Sequence, residues 1–206
     1  MTKFPETEWV AFSEIGVRFP VMKSQLQLGV ALVAALSVMD ASGQDRPLVF
    51  PEAEGKNLHG ETLRFPGAFG KAGFNVAIVA FEQEQQGLVD TWLPKLESVA
   101  RKREGFAYYE FPTIEPLNRV TRWIIYKGMR SGIKDPGARS RTVTFHLEKK
   151  GFKRALRINS ESDIHVFLVD REGRIIWRES GAWSEKKWRD LQSRMMETRR
   201  RESRKE

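Results

Sequence analysis

The sequence predicts an α/β fold in which a central mixed β-sheet is flanked by helices. Residues 74–81 (FNVAIVAF) form a continuous apolar run, typical of a strand buried on both faces. Residues 87–103 then repeat apolar positions at helical spacing, and residues 106–111 (FAYYEF) give a second strand. Residues 164–178 read as a β-hairpin before a final helix. An early strand–helix–strand unit followed by a hairpin and a closing helix predicts one sheet covered on both faces.

The first half of the chain supplies three of these elements. Residues 58–65 predict a small hairpin with Gly60 in its turn. The helix over 87–103 ends in basic residues, which suit the negative end of the helix dipole. The strand over 106–111 is expected to stop at Pro112, which lacks a backbone N–H.

The second half alternates short helices and strands around a basic, glycine-bearing segment. The predicted elements are a helix over 120–127, a basic loop over 128–141, a short helix over 149–156, a strand over 164–169, a returning strand over 174–178 and a last helix capped by Ser184. No internal repeat is present.

Composition excludes several classes of function. The chain has 206 residues, no cysteine and a formal net charge of +8. Without cysteine there is no disulfide, no thiolate metal site and no thiol nucleophile. The basic balance permits nucleic acid, anionic lipid or acidic protein as partner, and does not choose among them. The histidines His59, His146 and His165 are widely spaced, so neither a metal nor another cofactor is expected.

The beginning of the chain resembles an export signal. Residues 26–39 form an uncharged, mostly apolar run of 14 residues, preceded by Lys23 and followed by the small residues of 41–43. Such a run is shorter than the roughly 20 residues of a membrane span. A buried N-terminal helix and an uncleaved anchor are the alternatives. Residues 1–21 carry three glutamates, which suggests that translation begins at Met22.

These observations divide the chain into four parts. Residues 1–43 form an extension with the signal peptide, 44–69 an N-terminal hairpin or linker, 70–196 the folded domain and 197–206 a charged tail. The expected location is the periplasm or a membrane-associated part of the cell envelope, or the mitochondrion in a eukaryote.

Four short motifs follow one another at fixed spacing. Residues 81–89 (FEQEQQGLV) lead without a gap into 93–96 (LPKL), and 164–170 (IHVFLVD) precede 173–177 (GRIIW). In this order they resemble extracytoplasmic thioredoxin-like proteins of the TlpA and redoxin type, with F-W-A-x-W-C-x-x-C, M-P-x-L and a late hairpin. The likeness spans roughly residues 50–195 and implies a thioredoxin-like fold.

The departures from that family concern its redox site. Gln86, Gly87, Leu88 and Val89 occupy the place of the family's C-x-x-C, and Ile164 occupies the place of its cis proline. Thiol exchange needs a thiolate and a second sulfur, which these residues do not supply. A trans peptide bond is expected before Ile164, since a cis bond there costs about 2.5–4 kcal/mol. The resemblance therefore implies a redox-inactive protein, with no catalytic residue carried over.

A second resemblance is narrower. The pair Arg122 and Trp123, the segment 128–133 and the hairpin strand 166–170 with Trp177 resemble the mitochondrial ATP-synthase assembly-factor family. Members of that family have a thioredoxin-like fold and act as chaperones for a membrane subunit. The resemblance implies a binding or assembly role with a protein partner at a membrane.

Basic side chains near this segment are the candidate binding residues. They are Arg122, Trp123, Arg130, Arg139 and Arg141. Arginine offers a planar fork of donors, and loops on rigid scaffolds often carry binding sites. A solvated loop is the simpler alternative. The segment has neither a phosphate-loop pattern nor interleaved aromatic residues, so nucleic acid is not expected.

An enzymatic alternative stays open. Glu82 and Glu84 end the first core strand beside Gln86, where a thioredoxin fold places its active site. Two carboxylates there could exchange protons with a substrate. Acidic residues before a helix also favour its dipole, and that role is the more common one.

Overall fold

Seven strands form one mixed sheet in the computed structural model, which describes residues 47–204. The extension and signal peptide predicted for residues 1–43 lie outside the described residues. The strand order across the sheet is β2-β1-β5-β4-β3-β6-β7. The strands are β1 Ala53–Asn57, β2 Thr62–Phe65, β3 Phe74–Ala80, β4 Phe106–Ile114, β5 Val143–His146, β6 His165–Asp170 and β7 Ile175–Ser180.

The sheet is parallel at its centre and antiparallel towards its edges. Strand β4 pairs in parallel with β3 and with β5, whereas the pairs β1–β2, β1–β5, β3–β6 and β6–β7 are antiparallel. The helices are α1 Gln86–Lys102, α2 Arg119–Gly132, α3 Pro136–Arg141, α4 Lys149–Ala155 and α5 Glu185–Glu202, with 3-10 turns at Gly67–Lys71 and Gln83–Gln85. This is the predicted α/β architecture, with a mixed sheet between helices.

Two cores fill the faces of the sheet. On one face, α1 and α5 cover β3, β4, β6 and β7, with Trp92, Leu96 and Trp188 buried among them. The other face holds a phenylalanine cluster in which Phe111 and Phe145 stack at 4.7 Å between ring centroids. Among residues 47–204, the core beneath α1 and α5 includes no residue of β1, β5 or α2. Helices α1 and α5 therefore do not cover β1 and β5, and α2 lies over that end of the sheet.

A hairpin with Gly60 in its turn is present and is joined to the sheet, but its first strand precedes the predicted range 58–65. Strands β1 and β2 pair from Ala53 with Phe65 to Lys56 with Thr62, and Gly60 has a φ of +93° in the turn. Glycine suits that turn because residues with a side chain rarely adopt a positive φ. Strand β1 also pairs with β5, so the hairpin extends the sheet instead of forming a linker before it.

The prediction of a basic loop over residues 128–141 is wrong, because most of this segment is helical. Helix α2 continues to Gly132, and α3 begins at Pro136. The side chain of Asp135 accepts a hydrogen bond from the Ala138 N–H, and proline at the first helical position is pre-set for a helix. The glycines of α2 cost it only about 1 kcal/mol each, which the rest of the helix tolerates.

Two other boundaries differ from prediction. Strand β4 passes through Pro112 and ends at Ile114. Pro112 is the last residue of β4 paired with β3, so its missing N–H lies at the end of that strand pairing. Helix α5 extends to Glu202, into the segment predicted to be a charged tail.

Candidate functional site

The degenerate redox motif lies at the junction of a core strand and its following helix. Gln86 is the first residue of α1, just after β3 and the short 3-10 turn. Gln86 and Gly87 are exposed, Leu88 is half-buried and Val89 is buried. These four residues thus lie where a core strand gives way to its following helix, and none of them carries sulfur.

Gln85 ties this junction to the loop before β6. Its buried side-chain oxygen accepts a hydrogen bond from the Phe81 N–H at 2.8 Å, and its Nε2 donates to the Glu161 carbonyl. The Glu161 carboxylate lies between Lys149 and Lys153, at 2.9 and 2.7 Å. The hydrogen bond from Lys153 is the main cause of the lowered pKa of Glu161. These contacts fix the loop against the start of α1.

The opposite side of the junction is also occupied. Ile164 is buried and follows a trans peptide bond, as expected before a residue other than proline. The Trp92 indole N–H donates to the Gly181 carbonyl at 3.0 Å, and the Trp183 N–H donates to the Thr91 hydroxyl at 2.8 Å. The junction is therefore held by internal hydrogen bonds on both sides.

The acidic pair of the enzymatic alternative has a capping geometry. Glu82 is the N-cap of the 3-10 turn and forms a capping box with Gln85. Glu82 and Glu84 are both exposed. Since the capping box satisfies backbone N–H groups at a helix start, it accounts for a carboxylate at Glu82 without catalysis.

A different carboxyl group, which the sequence analysis missed, is buried beside this junction. Glu110 of β4 is 7% exposed, and burial raises its pKa to about 7 against the partly opposing charge of Arg141. The Arg141 guanidinium lies over the Tyr108 ring, 4.5 Å from its centroid. Burial likewise raises the pKa of Tyr108 to about 12. The signal available in the sequence was one acidic residue within the apolar run 106–111.

A separate cleft lies between α2 and the face of β1 and β5 that carries Lys56 and Thr144. This cleft encloses about 610 Å³. Lys56 pairs with Thr144 across the two strands, so their side chains lie on the same face and form the floor. The lining residues are Glu54, Gly55, Lys56, Gly60, Arg122, Trp123, Ile125, Tyr126, Thr144 and His146.

Helix α2 is positioned by a few specific contacts. Asn118 caps it by accepting from the Thr121 N–H at 2.9 Å. The Tyr126 hydroxyl donates to the Leu58 carbonyl at 3.1 Å, and Arg130 donates to the same carbonyl at 3.2 Å. No residue of α2 is fully buried. The helix therefore covers the sheet loosely and leaves the cleft beneath it.

The five candidate binding residues separate into two groups. Arg122 and Trp123 line the cleft. Arg130 bonds to the β1–β2 turn, and Arg139 donates to the carbonyls of Ile133 and Arg130, so both hold backbone in place. Arg141 is directed inward over Tyr108. The structure thus brings two of the five to an open surface.

His146 gives the cleft floor a polar group. Burial lowers its pKa, and the positive charge of Arg122 lowers it further. Its Nδ1 is buried without a hydrogen-bond partner. A neutral imidazole next to a guanidinium can accept a hydrogen bond from a ligand or donate one to it.

The lining of the cleft is mixed in chemistry. Its walls combine the apolar surfaces of Trp123, Ile125 and Tyr126 with the charges of Arg122 and Lys56. Within residues 47–204, no group of three or more potential metal ligands is brought together. Helices in that same range are too short or too polar to cross a membrane.

Comparison with known proteins found similar solved structures. No protein-family model matches the chain, and no protein of curated function matches its sequence. Solved structures similar to it include an exposed lipoprotein thioredoxin of Streptococcus pneumoniae, with 13% identity, a TM-score of 0.46, and coverage of 69% of this chain and 99% of that one. A putative thiol:disulfide interchange protein of Chlorobium tepidum has 11% identity and a TM-score of 0.46, with coverage of 74% and 96%.

A third similar structure is BsSco, described as a member of the Sco family of cytochrome c oxidase assembly proteins. It has 8% identity and a TM-score of 0.48, with coverage of 72% of this chain and 94% of that one. Two of these neighbours are named as a thioredoxin and a thiol:disulfide interchange protein, whereas this chain has no cysteine. The narrower resemblance to ATP-synthase assembly factors stays a prediction.

Proposed function

We propose that this protein is a redox-inactive, thioredoxin-like binding or assembly factor that holds a polypeptide segment in the cleft beneath α2. The proposed setting is the cell envelope, in keeping with the export signal predicted for residues 1–43. Because the chain has no cysteine, its own side chains cannot exchange disulfides. The fold then serves as a scaffold for contact.

The observation that carries this proposal is the cleft itself. A volume of about 610 Å³ falls within the range of ordinary ligand sites. Trp123 at its rim is 59% exposed, and tryptophan with arginine is the pair most enriched at the energetic centres of protein interfaces. A wall of this composition favours a partner with an apolar side chain.

The charged residues that line the cleft indicate which polar groups a partner would carry. Arg122 and Lys56 place two positive charges against the single negative charge of Glu54. His146 adds a partly exposed imidazole to the lining. A segment that combines an apolar side chain with a carboxylate fits this lining, because the guanidinium bonds a carboxylate through two parallel N–H groups.

The former redox edge is a poorer binding surface. In thioredoxin-like proteins, the surface beside the redox motif is where the substrate lies. Here Gln85, Trp92 and Trp183 make internal hydrogen bonds on both sides of that motif. A ligand there would have to replace these contacts, whereas the cleft offers open polar and apolar groups.

Site-specific photo-crosslinking in cells tests the proposal. A photoreactive residue at Lys56, on the cleft floor, is expected to trap a defined protein partner. The same residue at Lys150 of α4 is the control, since α4 packs on the other face of the sheet. Arg122→Glu should weaken the Lys56 adduct. Adducts of equal yield at Lys56 and Lys150, or no adduct at Lys56, would contradict the proposal.

The enzymatic alternative has one observation in its favour. Glu110 holds its proton near neutral pH beside Gln86, which is the property of a general acid. Its side chain is buried under α1, and exposed groups such as Glu82 serve as caps. A substrate would need a passage to Glu110 that α1 closes. The binding function therefore accounts for more of the structure.

A further inference from the structure

Helix α2 has a second apolar surface, on the side that faces away from the sheet. Val120, Trp123 and Ile124 are 68%, 59% and 58% exposed. Their spacing of three and four residues places them on one turn of the helix. Five large apolar side chains are exposed among residues 47–204, and the three most exposed of them form this patch. We call Val120, Trp123 and Ile124 the outer patch.

The outer patch is distinct from the cleft wall. Ile125, Tyr126 and Met129 form the inward side of α2, where the Thr144 hydroxyl lies 3.8 Å from the Met129 sulfur. Val120 and Ile124 are about half a turn of the helix away from these residues, given 3.6 residues per turn. Only Trp123 belongs to both surfaces, at the rim of the cleft.

Charge around the outer patch is of one sign. Residues 116–134 contain five basic residues and no acidic one. Lys127 lies over the Trp123 ring, with its Nζ 5.3 Å from the centroid. A cation and an indole side by side suit the boundary between lipid headgroups and hydrocarbon, where tryptophan is enriched and lysine reaches the phosphates.

We propose that α2 binds the surface of an anionic lipid membrane, with the outer patch entering the interfacial layer and Arg119 and Lys127 contacting lipid phosphates. An exposed helix face with apolar residues and a positive border is the pattern of interfacial membrane helices. The inference goes beyond the proposed function, because it assigns a lipid surface in addition to a polypeptide partner. It would place the mouth of the cleft next to the bilayer.

The other basic helix provides an internal comparison. Helix α5 ends in Arg199, Arg200 and Arg201, but Glu185, Asp190, Glu197 and Glu202 are distributed along it. Its exposed large apolar side chain is Met196. Mixed charge and a single apolar residue do not suit insertion into an anionic interface. Acidic protein remains the competing partner for α2, but the outer patch is convex and only one turn long, which is small for a stable protein interface.

The test uses the full chain and a local probe, since residues 26–39 could also bind lipid. The chain has no cysteine, so one introduced cysteine can carry an environment-sensitive fluorophore. Ser131→Cys places the fluorophore seven residues after Ile124, on the same face, and Gln192→Cys places it on exposed α5. Phosphatidylcholine vesicles with phosphatidylglycerol should brighten and blue-shift the fluorophore at position 131, and leave the one at 192 nearly unchanged.

Variants of the outer patch make the test specific. Val120→Asn with Ile124→Asn should weaken the response at position 131 about tenfold or more, as expected when two apolar side chains leave the interface. Met196→Asn is the matched control and should have no effect. All three side chains are exposed, so the fold should be preserved, which circular dichroism can check.

Four results would overturn the inference. They are no response at position 131, equal responses at 131 and 192, equal responses to vesicles with and without phosphatidylglycerol, and a response to polyglutamate that vesicles do not produce. The last would indicate an acidic protein instead. None of them bears on the crosslink at Lys56, so the cleft proposal stands or falls separately.

Discussion

The side chain of Gln85 joins two segments that are 76 residues apart, through a hydrogen bond from its Nε2 to the Glu161 carbonyl. Its oxygen accepts the Phe81 N–H at the same time. One buried amide thus links the end of β3 to the loop before β6. Gln85 therefore holds two distant segments of the chain together at the start of α1.

Replacing that amide should destabilise the fold. Gln85→Ala leaves the buried Phe81 N–H without its partner and frees the Glu161 carbonyl, with an expected loss of about 2–3 kcal/mol in the free energy of unfolding. Gln83→Ala, at an exposed position of the same 3-10 turn, is the control and should change it by about 0.5 kcal/mol or less. Urea denaturation measures both. Equal effects of the two substitutions would contradict the structural role of Gln85.

Glu110 predicts a dependence of stability on pH. Its pKa is about 7 in the folded protein and near 4.5 in the unfolded chain, so the folded state binds more protons between these values. Its contribution to stability therefore falls as pH rises from about 4.5 to 7 and is constant above that range. Glu110→Gln removes this titration. Relative to the wild type, the free energy of unfolding of the variant should therefore increase by roughly 2–3 kcal/mol as pH rises from 4 to 8.

The surroundings of Glu110 set the control for that measurement. Arg141 opposes the raised pKa, whereas Asp90 and Glu97 support it. Glu104→Gln, at an exposed position after α1, should leave the pH profile of the wild type unchanged. A profile for Glu110→Gln that runs parallel to the wild-type profile across the whole range would show that the pKa of Glu110 does not change on folding.

Arg122 and His146 should titrate as neighbours. Burial is the larger cause of the lowered pKa of His146, and the charge of Arg122 is the second. Arg122→Ala should therefore raise this pKa part of the way towards its ordinary value near 6.5. NMR titration of the histidine ring protons measures it, with His59 and His165 as internal controls. An unchanged His146 pKa would place Arg122 away from the cleft floor.

The degenerate motif should still accept a disulfide. Positions 86 and 89 start α1, and side chains three residues apart on a helix lie about 5–6 Å apart at Cβ, which the first turn can shorten. A helix N-terminus also lowers the pKa of a thiol. Gln86→Cys with Val89→Cys is expected to oxidise within one chain in a glutathione buffer, as mass spectrometry with thiol alkylation would show.

A second cysteine pair controls for spacing alone. Glu97→Cys with Ala100→Cys has the same separation within the body of α1. This pair should remain reduced, because hydrogen bonds on both sides keep the backbone there from shortening the distance between the two Cβ atoms. Oxidation of both pairs, or of neither, would show that positions 86 and 89 do not favour a disulfide over other helical positions with the same spacing.

Much of the fold was predictable because its strongest signals are local. The apolar run of β3 and the periodic face of α1 fixed two central elements to within a residue or so at each end. Strand β5 has only four residues, and its place in the sheet depends on the strands beside it. The sequence therefore contains no local pattern that predicts this strand. Pro112 ended the predicted strand too early, because its place at the end of the pairing with β3 is a tertiary property.

The site was less predictable for the same reason. Arg122 and Trp123 were identified from a short motif, and both line the cleft. Arg139 and Arg141 were grouped with them through proximity in sequence, but the chain turns at Asp135 and directs them to backbone carbonyls and to Tyr108. The pKa of Glu110 depends on the helix packed over it, which composition alone does not reveal.

Hydrogen–deuterium exchange of the protein with the partner recovered by crosslinking tests the central claim most directly. Binding in the cleft predicts that residues 53–60 and 119–134 become protected, while residues 81–90 and 159–164 exchange as they do in the free protein. Protection of residues 81–90 and 159–164 without change around the cleft would contradict the account, since the partner would then occupy the former redox edge.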